Sequence, residues 1–257
     1  MELWKVILIG IVEGITEWLP VSSTGHMLLL DAWMPLGMTE QFKEMFFVVI
    51  QLGAILAVAT EYWKQLYPRS PDTRRLWGKI LAGCIPAGIL GLLLDDVLEA
   101  YFGTPLTIAA MLILYGALFI IVEGRSRTAA ITHIADLPVH TALYIGFFQA
   151  LAMIPGTSRS GATILGGLLL GVSRTVAAEF SFFLAIPTML GASGLKLLKF
   201  GFALAPQELL TLTVGMGTAF LVSVASIRFL MAYVRQHDFK AFGWYRIGLG
   251  LLVLLRI

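Results

Sequence analysis

Residues 13 to 26 read Glu13-Gly-Ile-Thr-Glu17-Trp-Leu-Pro-Val-Ser-Ser-Thr-Gly-His26, a run of acids, hydroxyls and one histidine inside an otherwise oily chain. Glu13 and Glu17 are four positions apart, so a helix puts both on one face, where like charges repel unless a cation or a shared proton relieves them. Pro20 lacks an N–H and disfavours helix in the residue before it, so such a helix stops near Trp18. Ser22, Ser23 and Thr24 are N-cap residue types for a second helix beginning near Gly25 and His26. The stretch reads as helix, break, helix. Its tip collects carboxylates, hydroxyls, an imidazole and the free N–H groups of a helix start.

A second break, Pro155-Gly-Thr-Ser-Arg-Ser-Gly-Ala-Thr163, ends one short apolar run and opens a Gly-rich one. For Thr157, Ser160 and Thr163 a plain capped turn is an adequate alternative, but not for Arg159. A charged side chain at the bilayer centre costs about 2.5–3.5 kcal/mol on the lenient insertion scale, so Arg159 needs an anionic partner. That partner is either Glu13 or Glu17, giving a buried ion network between the two tips, or a bound phosphate. The hydroxyls of Thr157, Ser158, Ser160 and Thr163, close backbone approach at Gly25 and Gly161, and a forked guanidinium favour phosphate. Ser22 and Thr24 join this anion-binding set from the first tip. His26, three residues from Ser23, reads as a participant rather than a core histidine.

The 257 residues are 58% hydrophobic and only 13% charged, with a mean hydropathy of +0.86. Soluble domains carry about 25% charged residues. The long apolar stretches read as helical spans, not as the alternating strands of a barrel, so the expected class is an all-α integral membrane protein. The first apolar run meets Glu13 and lacks a small-x-small cleavage pattern, which argues against a removable signal peptide. A single cysteine, Cys84, excludes an intrachain disulfide and a Cys-rich metal site. A net charge of +2 gives no reason to expect nucleic acid.

To place the two tips, the chain must bring them into the membrane. Leu3 to Trp18 makes roughly 24 Å of helix, short of the roughly 30 Å hydrocarbon core. With the shorter Thr24 to Met34 it reads as a re-entrant hairpin shielded by spanning helices. Leu143 to Ile154, with the run ending at Leu170, reads as a second hairpin. Six spans are expected, at Met45–Tyr62, Ile80–Leu94, Leu106–Val122, Ala177–Leu195, Leu209–Leu230 and Phe242–Leu255. Lys64, Arg69, Arg74, Arg75 and Lys79, then Arg125 and Arg127, then Arg228, Arg235 and Lys240 put the 64–79, 124–140 and 233–240 loops in the cytoplasm. Asp95, Asp96, Glu99 and both termini then lie outside, as do Lys196 and Lys199, against the rule.

Each half of this single membrane domain holds three spans and one hairpin, repeat one over about 1–125 and repeat two over about 140–257. Pro20 and Pro155, Ser23 and Ser158, and Glu44 and Glu179 are each 135 apart. An odd number of spans per half inverts the second half. Inverted repeats with broken helices bring their polar tips together near the midplane.

The sequence resembles the undecaprenyl-diphosphate phosphatase, or bacitracin-resistance protein, family. Both motifs carry the resemblance, which continues through Val49-Ile50-Gln51-Leu52-Gly53, Gly171-Val-Ser-Arg-Thr and Glu179-Phe-Ser-Phe-Phe-Leu. It maps the family's glutamate-rich motif onto Glu13 and Glu17, its serines and histidine onto Ser22, Ser23 and His26, and its arginine onto Arg159. It implies metal-assisted hydrolysis of a polyprenyl diphosphate lipid by a multi-pass enzyme of the bacterial inner (plasma) membrane, its active site open to the extracytoplasmic side. The product is the monophosphate carrier of cell-wall synthesis, and excess enzyme counters bacitracin. Glu13 and Glu17 would hold the divalent cation, Mg2+ or Ca2+, and a homodimer is compatible with the resemblance. The expected catalytic set is Glu17, Ser23, His26 and Arg159, with the attacking group open between Ser23, His26 and water. The rival reading is a transporter or flippase of a phosphorylated polyprenyl lipid, because inverted repeats with broken helices are transporter architecture.

Overall fold

A computed structural model describes residues 2–125, 128–201 and 203–255, and they are almost entirely helical. Arg127, and the side chains of Asp95, Asp96 and Glu99, used above to orient the chain, lie outside the described residues. Two short helices, α1 (Leu3–Thr16) and α2 (Ser23–Trp33), lead into α3 (Glu40–Val49), α4 (Gln51–Glu61) and a single turn, α5 (Trp63–Leu66). The long α6 (Pro71–Phe102) and α7 (Pro105–Glu123) follow. After a 3-10 turn at Ile134–Asp136 come two more short helices, α8 (Val139–Leu151) and α9 (Arg159–Leu169), then α10 (Arg174–Phe200), α11 (Pro206–Val234) and α12 (Lys240–Leu254).

Among the described residues five segments are long and apolar enough to cross a membrane: Glu40–Glu61, which is α3 with α4, then Pro71–Leu94, Pro105–Glu123, Arg174–Phe200 and Pro206–Val234. The sixth expected span corresponds to α12, whose 15 residues make about 22 Å of helix, short of the hydrocarbon core. It lies along α7. There Gly116 and Gly243 face each other so closely that a Cβ on either would stand 2.7 Å from the other's carbonyl oxygen. Small residues let helix backbones approach in this way.

The two breaks form by the same local device. α1 stops at Thr16, just ahead of Pro20, and α8 stops at Leu151, just ahead of Pro155. A serine then restarts each chain: Ser22 Oγ accepts from the Gly25 N–H at 3.4 Å, and Ser158 Oγ accepts from the Gly161 N–H at 3.1 Å. Both serines sit at positive φ, 74° and 71°, a region L side chains rarely adopt. Ser158 is thus the counterpart of Ser22 rather than of Ser23. At the tips the matching register is one residue longer than the pairing of Pro20 with Pro155.

Neither half packs by itself. α1 lies along α11 and α8 along α6, so each short helix rests on a long helix of the other half. α10 crosses α3 and α4 at the centre. Trp18, Phe119, Phe180, Phe182 and Phe183 fill the core, whereas Leu92, Leu198, Leu221 and Leu255 point outward and are exposed. An apolar exterior of this kind suits a bilayer.

Candidate active site

Glu13 and Glu17 sit at the end of α1, the first 1% exposed and the second 6%. Behind them Trp18 is fully buried, its ring edge-on to Phe182 with 5.2 Å between centroids. The two tips meet here. Arg159 Nη2 donates to Glu17 Oε1 at 2.8 Å, and Nη1 donates to the Ser181 carbonyl oxygen at 2.7 Å and to its hydroxyl at 3.2 Å. The guanidinium lies 5.7 Å from the centre of the Trp18 ring, close enough for a cation–π contact.

Ser23 Oγ donates to Glu17 Oε2 at 3.2 Å, so one carboxylate bridges Ser23 and Arg159. The structure does not bring His26 to Ser23 as the sequence suggested. His26 Nδ1 is 2.7 Å from the Ser22 carbonyl oxygen, and Nε2 is 2.7 Å from the Tyr245 hydroxyl. A carbonyl can only accept, so Nδ1 carries the proton and Nε2 accepts from Tyr245. Both ring nitrogens are committed elsewhere, and the group placed to take the proton of Ser23 is Glu17.

The expected phosphate-binding hydroxyls divide into two groups. Ser160 and Thr163 are buried and bonded to protein: Ser160 Oγ donates to the carbonyl of Glu17 at 3.0 Å, and Thr163 Oγ1 donates to that of Arg159 at 2.9 Å and to the Ser181 hydroxyl at 2.8 Å. Ser160 thus sews α9 onto the end of α1, and Thr163 sews it onto α10. Ser22 and Ser158 are spent on capping, although Ser158 also lies 3.2 Å from Ser160. Thr24 is exposed, and Thr157 is buried with its hydroxyl unpartnered among the described residues. Gly161 serves packing, since a Cβ there would stand 3.1 Å from Arg246 Nη1, and at Gly25 it would stand 3.0 Å from Leu112.

Arg246 was not anticipated. It is 0% exposed, with no carboxylate on it among the described residues, and donates to four backbone carbonyls: Pro20 at 3.1 Å, Met111 at 3.4 Å, and Gly156 and Thr157 at 2.9 Å each. Three of these belong to the breaks themselves, where carbonyls have lost their helical partners. One guanidinium thus ties both breaks together. A lone arginine inside the apolar run of the last helix was signal enough, by the cost argument already applied to Arg159.

Glu13 Oε1 is buried and has no partner among the described residues, with Glu17 and Arg159 as its charged neighbours. An orphaned carboxylate oxygen beside a second carboxylate and a serine hydroxyl is a set of hard donors of the kind Mg2+ and Ca2+ take. The set fits a divalent cation. No group of three or more His, Cys, Asp or Glu suited to a metal occurs among the described residues, so these two acids would supply only part of a coordination shell.

The model of the family described as "Bacitracin resistance protein BacA" matches residues 6–252. The chain is 60% identical over 267 residues to an undecaprenyl-diphosphatase of Enterococcus faecalis, with 99% of this chain and 97% of the relative covered. It is 59% identical to that of Desulfitobacterium hafniense and 54% identical to that of Acetivibrio thermocellus, each over 99% of this chain and at least 96% of the relative. With both motifs joined at one buried centre and the match running almost end to end, the chain belongs to the bacitracin resistance protein BacA family.

Proposed function

We propose that the chain hydrolyses undecaprenyl diphosphate to undecaprenyl phosphate and inorganic phosphate, recycling the lipid carrier of cell-wall synthesis and countering bacitracin. The observation that carries this reading is the carboxylate of Glu17, held between the hydroxyl of Ser23 and the guanidinium of Arg159. Nucleophile, base and anion-binding cation stand in one contact chain. In this reading α1–α2 and α8–α9 are re-entrant hairpins of two inverted repeats, about 1–125 and 140–257, and α12 is the sixth span. The exchange of packing partners between the halves supports it, and the site opens to the extracytoplasmic side of the inner membrane.

Ser23 Oγ attacks the terminal phosphorus while Glu17 takes its proton. The bond from that phosphorus to the bridging oxygen breaks, and undecaprenyl phosphate leaves. Water then cleaves the phosphoserine, and Oγ recovers its proton from Glu17. Arg159 Nε, buried and unpartnered among the described residues, offers a donor to the phosphoryl oxygens, beside the free N–H groups at the starts of α2 and α9. Glu13 and Glu17 would hold a Mg2+ or Ca2+ ion, which would neutralise diphosphate charge.

Phosphate release from a polyprenyl diphosphate by purified protein in detergent tests the reading. Detergent abolishes any gradient, so turnover there cannot arise from transport. Ser23→Ala should reduce it at least about 10²-fold, the order seen when one catalytic group is lost. No release by wild-type protein with cation present would favour the flippase.

A further inference from the structure

A cavity of about 720 Å³ opens beside Arg159 and runs between α6 and α10. Its inner end is polar: Arg159, then Gln149, whose Nε2 donates to Thr188 Oγ1 at 3.2 Å, with Cys84 Sγ 3.5 Å from the same hydroxyl. Gln149 is 2% exposed and its Oε1 has no partner among the described residues. Whichever way round that amide is assigned, one of its ends is left for a ligand. Beyond this point the walls turn apolar, with Ala87, Leu92, Leu190 and Leu195 along them. Gly88, Gly91, Gly191 and Gly194 leave room at the edges, since a Cβ at any of the four would meet nothing within 4 Å. Lys196 and Lys199 line the cavity towards the end of α10, where Lys196 stands 3.7 Å from Glu44.

We propose that this groove between α6 and α10 binds the isoprenoid chain next to the diphosphate and confers preference for long polyprenyl substrates. The inference rests on the diphosphatase reading above. A ligand that fits must have a charged head for Arg159 and a slender apolar tail for the glycine-edged walls, which an isoprenoid diphosphate has and inorganic diphosphate lacks. Pockets for drug-sized ligands span about 300–1,000 Å³, so the groove holds the isoprene units nearest the head while the remainder of the chain stays in lipid. The lysines draw the anionic head towards the mouth, a steering role for exposed charge. Glycine in the middle of a helix is unfavourable relative to other residues, and four open ones on facing helices are explained by keeping a passage clear.

Because a Cβ at Gly91 or Gly191 would meet nothing within 4 Å, Gly91→Leu and Gly191→Leu should fold normally and narrow the groove. The expected result is a fall of about tenfold or more in kcat/KM for undecaprenyl diphosphate, carried by KM, with hydrolysis of a short farnesyl diphosphate changed less than twofold. Equal kcat/KM for the long substrate in wild type and both variants would overturn the proposal, as would an equal loss on both substrates. A polyprenyl diphosphate bearing a diazirine in its second isoprene unit supplies a readout independent of turnover. Labelling should fall within 84–92 or 187–198, and labelling confined to the opposite face of α1 and α11 would refute the groove. Labelling in the groove without phosphate release would defeat the hydrolase reading and leave the groove standing.

Discussion

Glu17 and Arg159, 142 positions apart in the chain, close to 2.8 Å in a buried ion pair that joins the end of one short helix to the start of another. The pair answers the question of what compensates Arg159: Glu17 is its protein partner, the first of the two alternatives raised by the sequence, and Nε has no partner among the described residues.

Arg159→Lys should cost about 2.7–4 kcal/mol in transition-state stabilisation, or roughly 10²–10³ in rate, because an ammonium cannot reach Glu17, Ser181 and substrate together as a planar fork does. Arg174 is the control. It forks Glu123 at 2.6–3.1 Å and makes no hydrogen bond to Glu17, Ser23 or Arg159 among the described residues, so Arg174→Lys should lower thermal stability and leave turnover of folded enzyme nearly unchanged. Phosphate release at saturating lipid, with melting temperature measured alongside, separates the two; near-full activity of Arg159→Lys would make Arg159 a structural counter-ion only.

Glu13→Gln keeps the shape of the side chain and removes its charge. Chelator should abolish phosphate release by wild-type enzyme, and titrated Mg2+ or Ca2+ should restore it. The substitution should raise the cation concentration for half-maximal rate by about tenfold or more, a scale typical of damage to a metal site. A titration curve that does not move would take Glu13 out of the cation site.

Removing Arg246 should be expensive for stability before it touches chemistry. Arg246→Met fills a similar volume but strands carbonyls of Pro20, Met111, Gly156 and Thr157, at about 1–3 kcal/mol for each buried oxygen left unpaired. The melting temperature in detergent should drop sharply, and Arg246→Lys, with three donors, should recover part of the loss. An unchanged melting temperature in Arg246→Met would show that water replaces the guanidinium.

Topology is open to direct labelling in a Cys84→Ser background. An impermeant maleimide applied to intact cells should label Thr104→Cys and spare Arg74→Cys until the cells are opened. The reverse pattern would invert the protein and put the site on the cytoplasmic side.

The broken helices were legible because Pro20 and Pro155 interrupt apolar runs and serine follows each, signals that act within a few residues. The meeting of the tips was legible because Arg159 required an anion. The register was missed by one residue, since Ser22 and Ser23 are equally good caps by type and only the positive φ of Ser22 tells them apart. The ring partner of His26 was not legible for a similar reason: proximity in sequence pointed to Ser23, while the ring reaches Tyr245, 219 positions away. Which helices pack together was not legible, because apolar faces match almost any other apolar face.

That exchange of partners bears on how the protein is made. α1 emerges from the ribosome about 200 residues before α11, the helix it rests on. Until then Gly10 and Gly14 have no surface to dock on, and Glu13 and Glu17 lack Arg159. α1 must therefore wait beside the insertion machinery or at the lipid interface, and settle only once α11 has been made. A gene divided between α7 and α8 should yield stable protein only when both pieces are made together, each degraded quickly when made alone.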